Sequence, residues 1–320
     1  MATLTATSSV ESTALCVAAT VLTAASPLLK RISQDDNGNY NYNVNMVYLF
    51  AEIMKLVVAA MCVAFKVGGT GNFREALCSA PHQRRYCLTA FLFFVQNNMG
   101  FIVLQHFSAA SFQLLMNLRI VAVGLFSIPL LGKVPTQMQW CIIMLLCTGG
   151  MQHYLSIQEE AVAGTSIVGL GALLSVVATS ALANVYNQFV LQAAPDQPLM
   201  LQNTFLYMYG VLFNALNWAR SIYVGEGAPH PALGEISPAV ILLVVFNAIY
   251  GLSISAVLKM LGAMVRSILG VLAIVVTAFG EYLFFGNYPG LFTDTTFIVI
   301  IVSSQAYAWA PPAEDRRYLK

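Results

Sequence analysis

Two basic residues lie deep inside apolar stretches of the sequence, where a charge needs compensation. Lys55 lies within Met46–Phe65, and Arg119 lies within Ala109–Leu131. At a rise of about 1.5 Å per residue, a helix through either stretch places the cation about 14–18 Å from its ends, near the middle of a hydrocarbon layer about 30 Å thick. A charge at that depth costs at least about 2.5 kcal/mol unless it faces a wet cavity or a counter-charge. The two cations therefore predict a central site for an anion.

One acidic residue accompanies the first of these cations. Glu52 precedes Lys55 by three positions, so the two side chains share one face of a helix. They form either a structural brace between helices or an arrangement in which Glu52 orients Lys55 toward a substrate. Arg119 has no acidic residue near it in sequence. Its partner is then either the distant Glu52 or, as we favour, a ligand.

Three consecutive amides lie in the third apolar stretch, at Gln96, Asn97 and Asn98. Neighbouring residues of a helix point about 100° apart, so at most two of these side chains face one cavity, and the third is expected to tie helices together. An amide offers both a donor and an acceptor, which suits a nucleobase or sugar hydroxyls. Interhelical hydrogen bonding explains the same residues equally well.

Further polar residues extend the candidate site into the second half of the chain. Asn203 and Tyr207 are four positions apart and share a helical face, and Asn187 lies near the end of the preceding apolar stretch. Arg266 opens the ninth stretch. It either sets the membrane orientation as an ordinary flanking charge or holds a phosphate together with backbone N–H groups of the helix start.

Composition places the chain among integral membrane proteins. It is 58% hydrophobic and 9% charged, compared with about 25% charged residues in soluble domains. Ten apolar stretches, most close to the roughly 20 residues of a membrane helix, predict an all-α protein with ten transmembrane helices. These are Ser12–Leu29, Met46–Phe65, Tyr86–Gln105, Ala109–Leu131, Val134–Ser156, Ser166–Ala194, Met200–Trp218, Pro238–Leu258, Ser267–Phe285 and Leu291–Ala310. Between the second and third, Gly71–Ala80 fits a short interfacial helix or a loop.

The sequence offers no group for covalent chemistry. It contains no glycine-rich phosphate loop, no His/Cys metal cluster and no nucleophile with a base in place, so we expect neither an enzyme nor a cofactor. The net charge of +1 gives no reason to expect nucleic-acid binding. The six cysteines have no paired spacing and are expected to be small buried hydrophobes. The sequence makes no prediction of oligomeric state.

The distribution of Lys and Arg between loops predicts the orientation. Ten helices place both termini on one side, and the loops of that side carry ten basic residues: Lys66, Arg74, Arg84, Arg85, Lys133, Lys259, Arg266, Arg316, Arg317 and Lys320. The opposite side carries three, namely Lys30, Arg31 and Arg220. Because positive loops stay in the cytosol, we expect cytosolic termini.

The two halves of the chain resemble each other. The segment Leu125–Pro135 aligns with Ala278–Pro289, with Gly132 over Gly286. Two halves of five helices each must be oppositely oriented, as in transporters built from inverted repeats. The sequence therefore predicts inverted five-helix repeats at 1–160 and 161–320, and favours a transporter over a receptor or channel.

The chain resembles the nucleotide-sugar transporters of the drug/metabolite transporter superfamily, close to members that carry CMP-sialic acid. The resemblance covers nearly the whole chain. It is most specific in Ala51–Leu56, Val95–Phe101, Ser111–Ile120, Asn203–Gly210 and Met264–Gly286. It implies ten helices, an inverted repeat, a Golgi membrane location, and exchange of cytosolic nucleotide-sugar for lumenal nucleoside monophosphate.

The resemblance also implies a substrate site. The residues that match cavity positions of the family are Lys55, Gln96, Asn97, Arg119, Asn203, Tyr207 and Arg266, with Glu52, Phe93, Phe112 and Asn187 in support. Similar members have Lys in place of Arg119 and Arg266, and Tyr in place of Phe93 and Phe112. Arg keeps the positive charge, whereas the two Phe lack hydroxyls that could read a base or sugar.

Several functions are compatible with this pattern. The leading hypothesis is exchange of CMP-sialic acid, or a related CMP-sugar, for CMP. The first alternative keeps the mechanism and carries UDP-galactose or another UDP-sugar in exchange for UMP. A membrane-embedded enzyme acting on lipid-linked sugars would need clustered acids or histidines near one interface, which the sequence lacks.

Overall fold

The computed structural model describes residues 2–33, 42–67, 70–80, 83–104, 116–157, 167–224, 238–285, 291–311 and 314–315. These residues form eleven α-helices and one pair of two-residue strands. The helices are α1 (Ala2–Ile32), α2 (Val44–Val67), α3 (Thr70–Ser79), α4 (Arg85–Leu104), α5 (Arg119–Leu131), α6 (Gln137–Ile157), α7 (Ile167–Gln192), α8 (Leu199–Val224), α9 (Pro238–Met260), α10 (Ala263–Phe285) and α11 (Leu291–Trp309). The strands are β1 (Lys133–Val134) and β2 (Glu314–Asp315), which pair antiparallel.

The described helices have the length and surface of membrane helices. Four described stretches are long and apolar enough to cross a bilayer by length and composition: Val44–Lys66, Leu173–Gln192, Val240–Met260 and Ala263–Gly280. Large apolar side chains such as Phe65, Leu216 and Ile298 are more than half exposed on the outer surface. A soluble monomer rarely exposes so many apolar side chains, whereas lipid accommodates them. The fold is therefore helical and fits a membrane protein.

The sequence left Gly71–Ala80 open between a short interfacial helix and a loop. The structure has a helix there, α3. Phe73 and Leu77 pack against the main apolar core, while Arg74 and Glu75 are exposed. All six cysteines are free thiols: Cys147 is buried, Cys16 and Cys87 are partly buried, and the other three are exposed, so the expectation of buried cysteines was wrong for those three.

Eight helices pack side by side in a closed ring. The packing contacts run in the order α2, α8, α4, α7, α5, α10, α1, α9 and back to α2. Helices α6 and α11 pack mainly on each other, outside the ring, next to α5 and α10. The ring encloses the space in which the predicted site would lie.

The packing pairs of the two halves correspond. Exchanging α1, α2, α4, α5 and α6 with α7, α8, α9, α10 and α11, respectively, reproduces the set of ring contacts. The packing of α1 on α9 becomes that of α7 on α4, and the packing of α1 on α10 becomes that of α7 on α5. The sequence match that aligned Gly132 with Gly286 pairs the same helices, since Gly132 caps α5 and Gly286 directly follows α10.

The fourth apolar stretch differs from its prediction, which was one helix through Ala109–Leu131. Helix α5 begins at Arg119, after a turn at Asn117 and Leu118 in which the N–H groups of Ile120 and Val121 bond three residues back, at 3.1 Å. Met116 is helical as well, so the described part of this stretch is a helix interrupted by one tight turn directly before Arg119. The reason is local: Asn competes for backbone hydrogen bonds and favours turns. Residues 105–115 lie outside the described part.

Candidate functional site

The helix ring surrounds a cavity of about 280 Å³, and every one of its eight helices contributes to the wall. Nine of the residues selected from the sequence line it: Glu52, Lys55, Phe93, Gln96, Asn97, Arg119, Asn187, Tyr207 and Arg266. A cleft with apolar walls and a few converging polar groups is the usual form of a small-molecule site. The predicted residues thus come together from both halves of the chain.

Glu52 and Lys55 form the ion pair that their spacing predicts. Lys55 Nζ lies 2.5 Å from Glu52 Oε1, and both side chains are largely buried. The same ammonium lies 4.8 Å from the centroid of the Tyr207 ring, within the range of a cation–π contact. Tyr207 in turn shares a hydrogen bond of 3.3 Å with Ser255. The pair therefore holds α2 against α8 and α9 while it faces the cavity.

Two glycines make room for this ion pair. A Cβ atom at Gly210 on α8 would lie 2.7 Å from Glu52 Oε2, and one at Gly251 on α9 would lie 2.7 Å from Lys55 Cδ. Both distances are far below van der Waals contact. The Lys55 clash involves the middle of the side chain, so relief requires the whole side chain to move. Gly251 therefore fixes the path by which Lys55 reaches the cavity.

Arg119 and Arg266 approach one another on the opposite side of the cavity. A Cβ atom at Gly270 would lie 3.1 Å from Arg119 Nη2 and 3.5 Å from Arg266 Nη1, so both guanidinium groups reach the same point on α10. Arg119 Nη1 donates a long hydrogen bond of 3.4 Å to Ser180 Oγ. Arg266 Nη2 donates to Tyr250 Oη at 2.7 Å. Two like charges are thus held close together by neutral partners.

Neither arginine has a carboxylate partner among the described residues. The carboxylate in the cavity wall, that of Glu52, pairs with Lys55 instead. Arg266 Nε and Nη1 are buried and bond to no described group. The cavity wall carries three cations and one carboxylate, an excess of two positive charges. Buried charge without compensation is costly, so this end of the cavity favours a doubly charged anion.

Other buried polar atoms around the cavity also have no hydrogen-bond partner in the described part of the chain. These are Oε1 of Gln96 and both amide atoms of Asn187. Most buried polar groups in folded proteins find a hydrogen-bond partner in protein or water. Unpaired amides beside unpaired guanidinium N–H groups indicate that the cavity wall is arranged for a polar ligand.

The structure divides the three consecutive amides as their helical spacing predicts. Gln96 and Asn97 line the cavity. Asn98 turns away, and its Oδ1 accepts a hydrogen bond of 2.9 Å from Asn217 Nδ2, which also donates to Asn45 Oδ1 at 3.2 Å. The third amide therefore links α4, α8 and α2, which confirms the expectation that one of the three ties helices together.

One described residue of the selected set, Asn203, is not among those that line the cavity. Asn203 is fully buried, does not line the cavity, and bonds to no described group through either amide atom. It shares the face of Tyr207, as expected, but lies one turn closer to the start of α8, beyond the end of the cavity. Asn203 is therefore off the described cavity wall, and its predicted contact with a substrate stays a prediction. Phe112 lies outside the described residues.

The structure adds residues that the sequence analysis did not select. The main additions are Tyr48, Asn214, Asn247, Tyr250 and Ser255. Asn247 and Tyr250 are three positions apart in an apolar stretch, the same signal that selected Glu52 and Lys55. Asn214 follows Tyr207 by two helical turns on the same face. A search for polar residues at helical spacing, without preference for charge, would have found these three.

A family model for nucleotide-sugar transporters matches residues 8–308, most of the chain. This chain belongs to the nucleotide-sugar transporter family. The family consists of transporters, so the chain is a transporter and not an enzyme. The described residues contain no cluster of His, Cys, Asp and Glu that could hold a metal ion.

Several named relatives of the transporter align over most of their length. It is 26% identical over 317 residues to the UDP-galactose transporter senju of Drosophila melanogaster, with 87% of this chain and 80% of the relative covered. It is 24% identical over 305 residues to CMP-sialic acid transporter 2 of Oryza sativa subsp. indica, with coverage of 94% and 84%. The match to CMP-sialic acid transporter 2 of Arabidopsis thaliana is 26% over 319 residues, with coverage of 95% and 77%.

A crystal structure of another protein has a similar fold. It superposes with a TM-score of 0.67 over 93% of the transporter and 97% of that chain, at 14% sequence identity. At this identity the likeness concerns the fold alone.

Proposed function

We propose that this transporter is an antiporter that exchanges cytosolic CMP-sialic acid, or a related CMP-sugar, for lumenal CMP by alternating access. The observation that carries the proposal is the pair Arg119 and Arg266, which meet in a cavity inside the helix ring without a carboxylate partner among the described residues. A phosphate is the natural partner for such a pair, because a guanidinium presents its N–H donors in the geometry of phosphate oxygens.

The charge of the cavity supports a nucleotide cargo. CMP is close to a charge of −2 at neutral pH, and CMP-sialic acid carries one phosphodiester and one carboxylate. Either anion balances the excess of two positive charges among the lining residues. Exchange of one dianion for another then moves almost no net charge across the membrane.

We assign the lining side chains distinct roles. Arg119, Arg266 and Lys55 bind the anionic groups, with Tyr250 holding the Arg266 side chain through their 2.7 Å hydrogen bond. The uncharged polar side chains bind the base and the sugars; these are Gln96, Asn97, Asn187 and Tyr207, with Phe93 available for packing against a ring. Asn203 lies off the lining and has no direct contact in this assignment.

The proposed architecture is ten membrane-spanning helices in two inverted five-helix repeats, residues 1–160 and 161–320, in the Golgi membrane. The correspondence of packing pairs between the two halves supports the repeat. The excess of Lys and Arg in the loops on the side of the termini supports cytosolic termini. Inverted repeats of this kind place the substrate site at their interface, near the middle of the membrane.

A UDP-sugar, with UMP as its exchange partner, is the second candidate cargo. The relative from Drosophila melanogaster is named a UDP-galactose transporter, and its identity to this chain equals that of the CMP-sialic acid relatives to within a few per cent. UDP-sugars also carry about two negative charges, so charge does not separate the two cargoes.

A nucleotide panel separates them. The purified transporter is heated with CMP, UMP, GMP or AMP, and the shift in its unfolding temperature is recorded. We expect CMP to stabilise the transporter most, by about 2.7 kcal/mol at 100 times its dissociation constant, and CMP-sialic acid to compete with it. Strong protection by UMP without protection by CMP would transfer the assignment to UDP-sugars. Protection by none of the four would contradict a nucleotide site.

A further inference from the structure

We propose that a cluster of one lysine and three glutamines closes the cavity at one end and acts as its gate. This lysine–glutamine cluster consists of Lys259, Gln188, Gln192 and Gln202. It joins the end of α7, the start of α8 and the turn between α9 and α10. The inference rests on the proposed transport function, because a gate has consequences only for a protein that passes cargo through its cavity.

Lys259 is the centre of the cluster. Its Nζ donates to Gln202 Oε1 at 2.8 Å and to the backbone oxygen of Gln197 at 2.5 Å. Gln202 is fully buried, and its Nε2 donates to the backbone oxygens of Leu191 and Ala194, both at 3.0 Å. Lys259 thus binds the α7–α8 connection from α9. This lysine is a cation outside the cavity lining, with a role separate from substrate binding.

The glutamines of α7 complete the link to the far side of the ring. Gln192 Nε2 donates to the backbone oxygen of Lys259 at 3.3 Å, and Gln188 Nε2 donates to Gln192 Oε1 at 3.0 Å. Gln188 Oε1 accepts the N–H of Ala263, the first residue of α10, at 2.7 Å. Gly262 has a φ of 92° and leaves no room for a Cβ beside Gln188. The α9–α10 turn is therefore shaped around the Gln188 amide.

The position of α7 and α9 in the ring makes this link a closure. The neighbours of α7 are α4 and α5, and those of α9 are α1 and α2, so α7 and α9 are opposite each other. Packing and hydrogen bonds between them cross the ring. The main apolar core lies at the same end and includes Ala59, Tyr86, Val185, Phe205 and Leu258, from five different helices. This end of the cavity is filled.

The other end of the cavity lacks an equivalent closure among the described residues. The correspondence of the two halves makes α1 and α4 the counterparts of α7 and α9, and no comparable packing joins α1 to α4 in the described segments. The cavity extends toward that end, where its wall includes Ser26, Tyr48 and Asn214. The lysine–glutamine cluster thus lies at the closed end of the described cavity, on the cytosolic side in the proposed orientation.

The gate also touches the anion site. Arg266 lies one turn into α10, and its N–H donates to the backbone oxygen of Gly262, which lies directly before the residue that Gln188 holds. Opening the gate must release the first turn of α10 from α7 and so move Arg266. Cargo at Arg266 and the closed gate are therefore coupled through a single helical turn.

Thiol labelling in sealed vesicles tests the gate. Ile254 lines the cavity on α9, five residues before Lys259, and serves as the reporter as Ile254→Cys in the full chain with its native cysteines replaced by alanine. A membrane-impermeant maleimide is added on the gate side, without nucleotide. Lys259→Met should raise the labelling rate about tenfold or more, because the closed state no longer dominates. Lys66→Met, which changes an exposed lysine outside the cluster, should leave the rate unchanged.

A second variant keeps the test decisive if Lys259→Met fails to fold. Gln192→Leu removes the direct hydrogen bond between α7 and α9 at a partly exposed position and keeps the charge of Lys259. It should also raise the labelling rate, by less than Lys259→Met. Equally slow labelling of the parent and of folded Gln192→Leu would overturn the gate. A failure of all nucleotides to stabilise the protein would instead overturn the proposed cargo, and it would leave the labelling result standing.

Discussion

Replacement of Arg119 by glutamine should weaken CMP binding by about 10- to 150-fold. The change removes a charge-assisted hydrogen bond of about 1.5–3 kcal/mol, and each 1.4 kcal/mol corresponds to a factor of ten in affinity. Glutamine keeps a polar side chain at the start of α5, so the loss reports the charge. Binding is measured by titration of detergent-purified protein, separately from transport.

Two matched variants make the Arg119 result specific. Arg119→Lys keeps the charge and should retain measurable exchange with weaker binding, because an ammonium lacks the planar fork of a guanidinium. Arg74→Gln removes an exposed arginine on α3 and should change nothing. A folded Arg119→Gln variant with the CMP affinity of the parent would exclude an anion site at this residue.

Replacement of Lys55 by alanine should abolish exchange and reduce stability. The change leaves Glu52 buried without its partner, which costs about 3–5 kcal/mol for a buried ion pair broken on one side, and it removes a cation from the cavity. Exchange of labelled CMP by reconstituted protein is the measurement. The double variant Glu52→Gln with Lys55→Gln removes both charges together. Restored exchange in the double variant would show that the pair is only a brace.

The glycine beside Lys55 tests the same role without removal of a charge. Gly251→Ala places a Cβ 2.7 Å from Lys55 Cδ, so the ammonium must leave its position between Glu52 and Tyr207. We expect the exchange rate to fall about tenfold, because displacing the Lys55 side chain costs about 1–2 kcal/mol. Gly171→Ala, on α7 with nothing within 4 Å of the new Cβ, is the control. Undiminished exchange in Gly251→Ala would contradict a positional requirement at Lys55.

Helical periodicity predicted which side chains share a face. The spacing of Glu52 and Lys55 predicted their ion pair. The angle between successive helical residues predicted that Gln96 and Asn97 face the cavity while Asn98 contacts other helices. These predictions succeed because the angle between residues within one helix depends on that helix alone. Local geometry of this kind needs no knowledge of neighbouring helices.

Position along a cavity could not be predicted in the same way. Asn203 shares the face of Tyr207 but lies beyond the cavity end, because the depth of the cavity depends on how α7, α9 and α10 close around it. Likewise, an uninterrupted apolar stretch indicated one helix around Arg119, whereas a turn at Asn117 interrupts it. An apolar stretch indicates that a segment lies in lipid, but it does not show whether the backbone hydrogen bonds of its helix are continuous. The neutral partners of the two arginines, Ser180 and Tyr250, come from distant parts of the sequence.

Exchange across a sealed membrane is the measurement that tests the central claim most directly. The purified transporter is reconstituted into liposomes loaded with CMP or left empty, and uptake of labelled CMP-sialic acid is followed from outside. We predict rapid uptake into CMP-loaded liposomes, little uptake into empty ones, and loss of the difference in Arg119→Gln. Equal uptake into loaded and empty liposomes would contradict antiport, and no uptake of either CMP-linked or UDP-linked sugars in a folded, reconstituted protein would contradict nucleotide-sugar exchange.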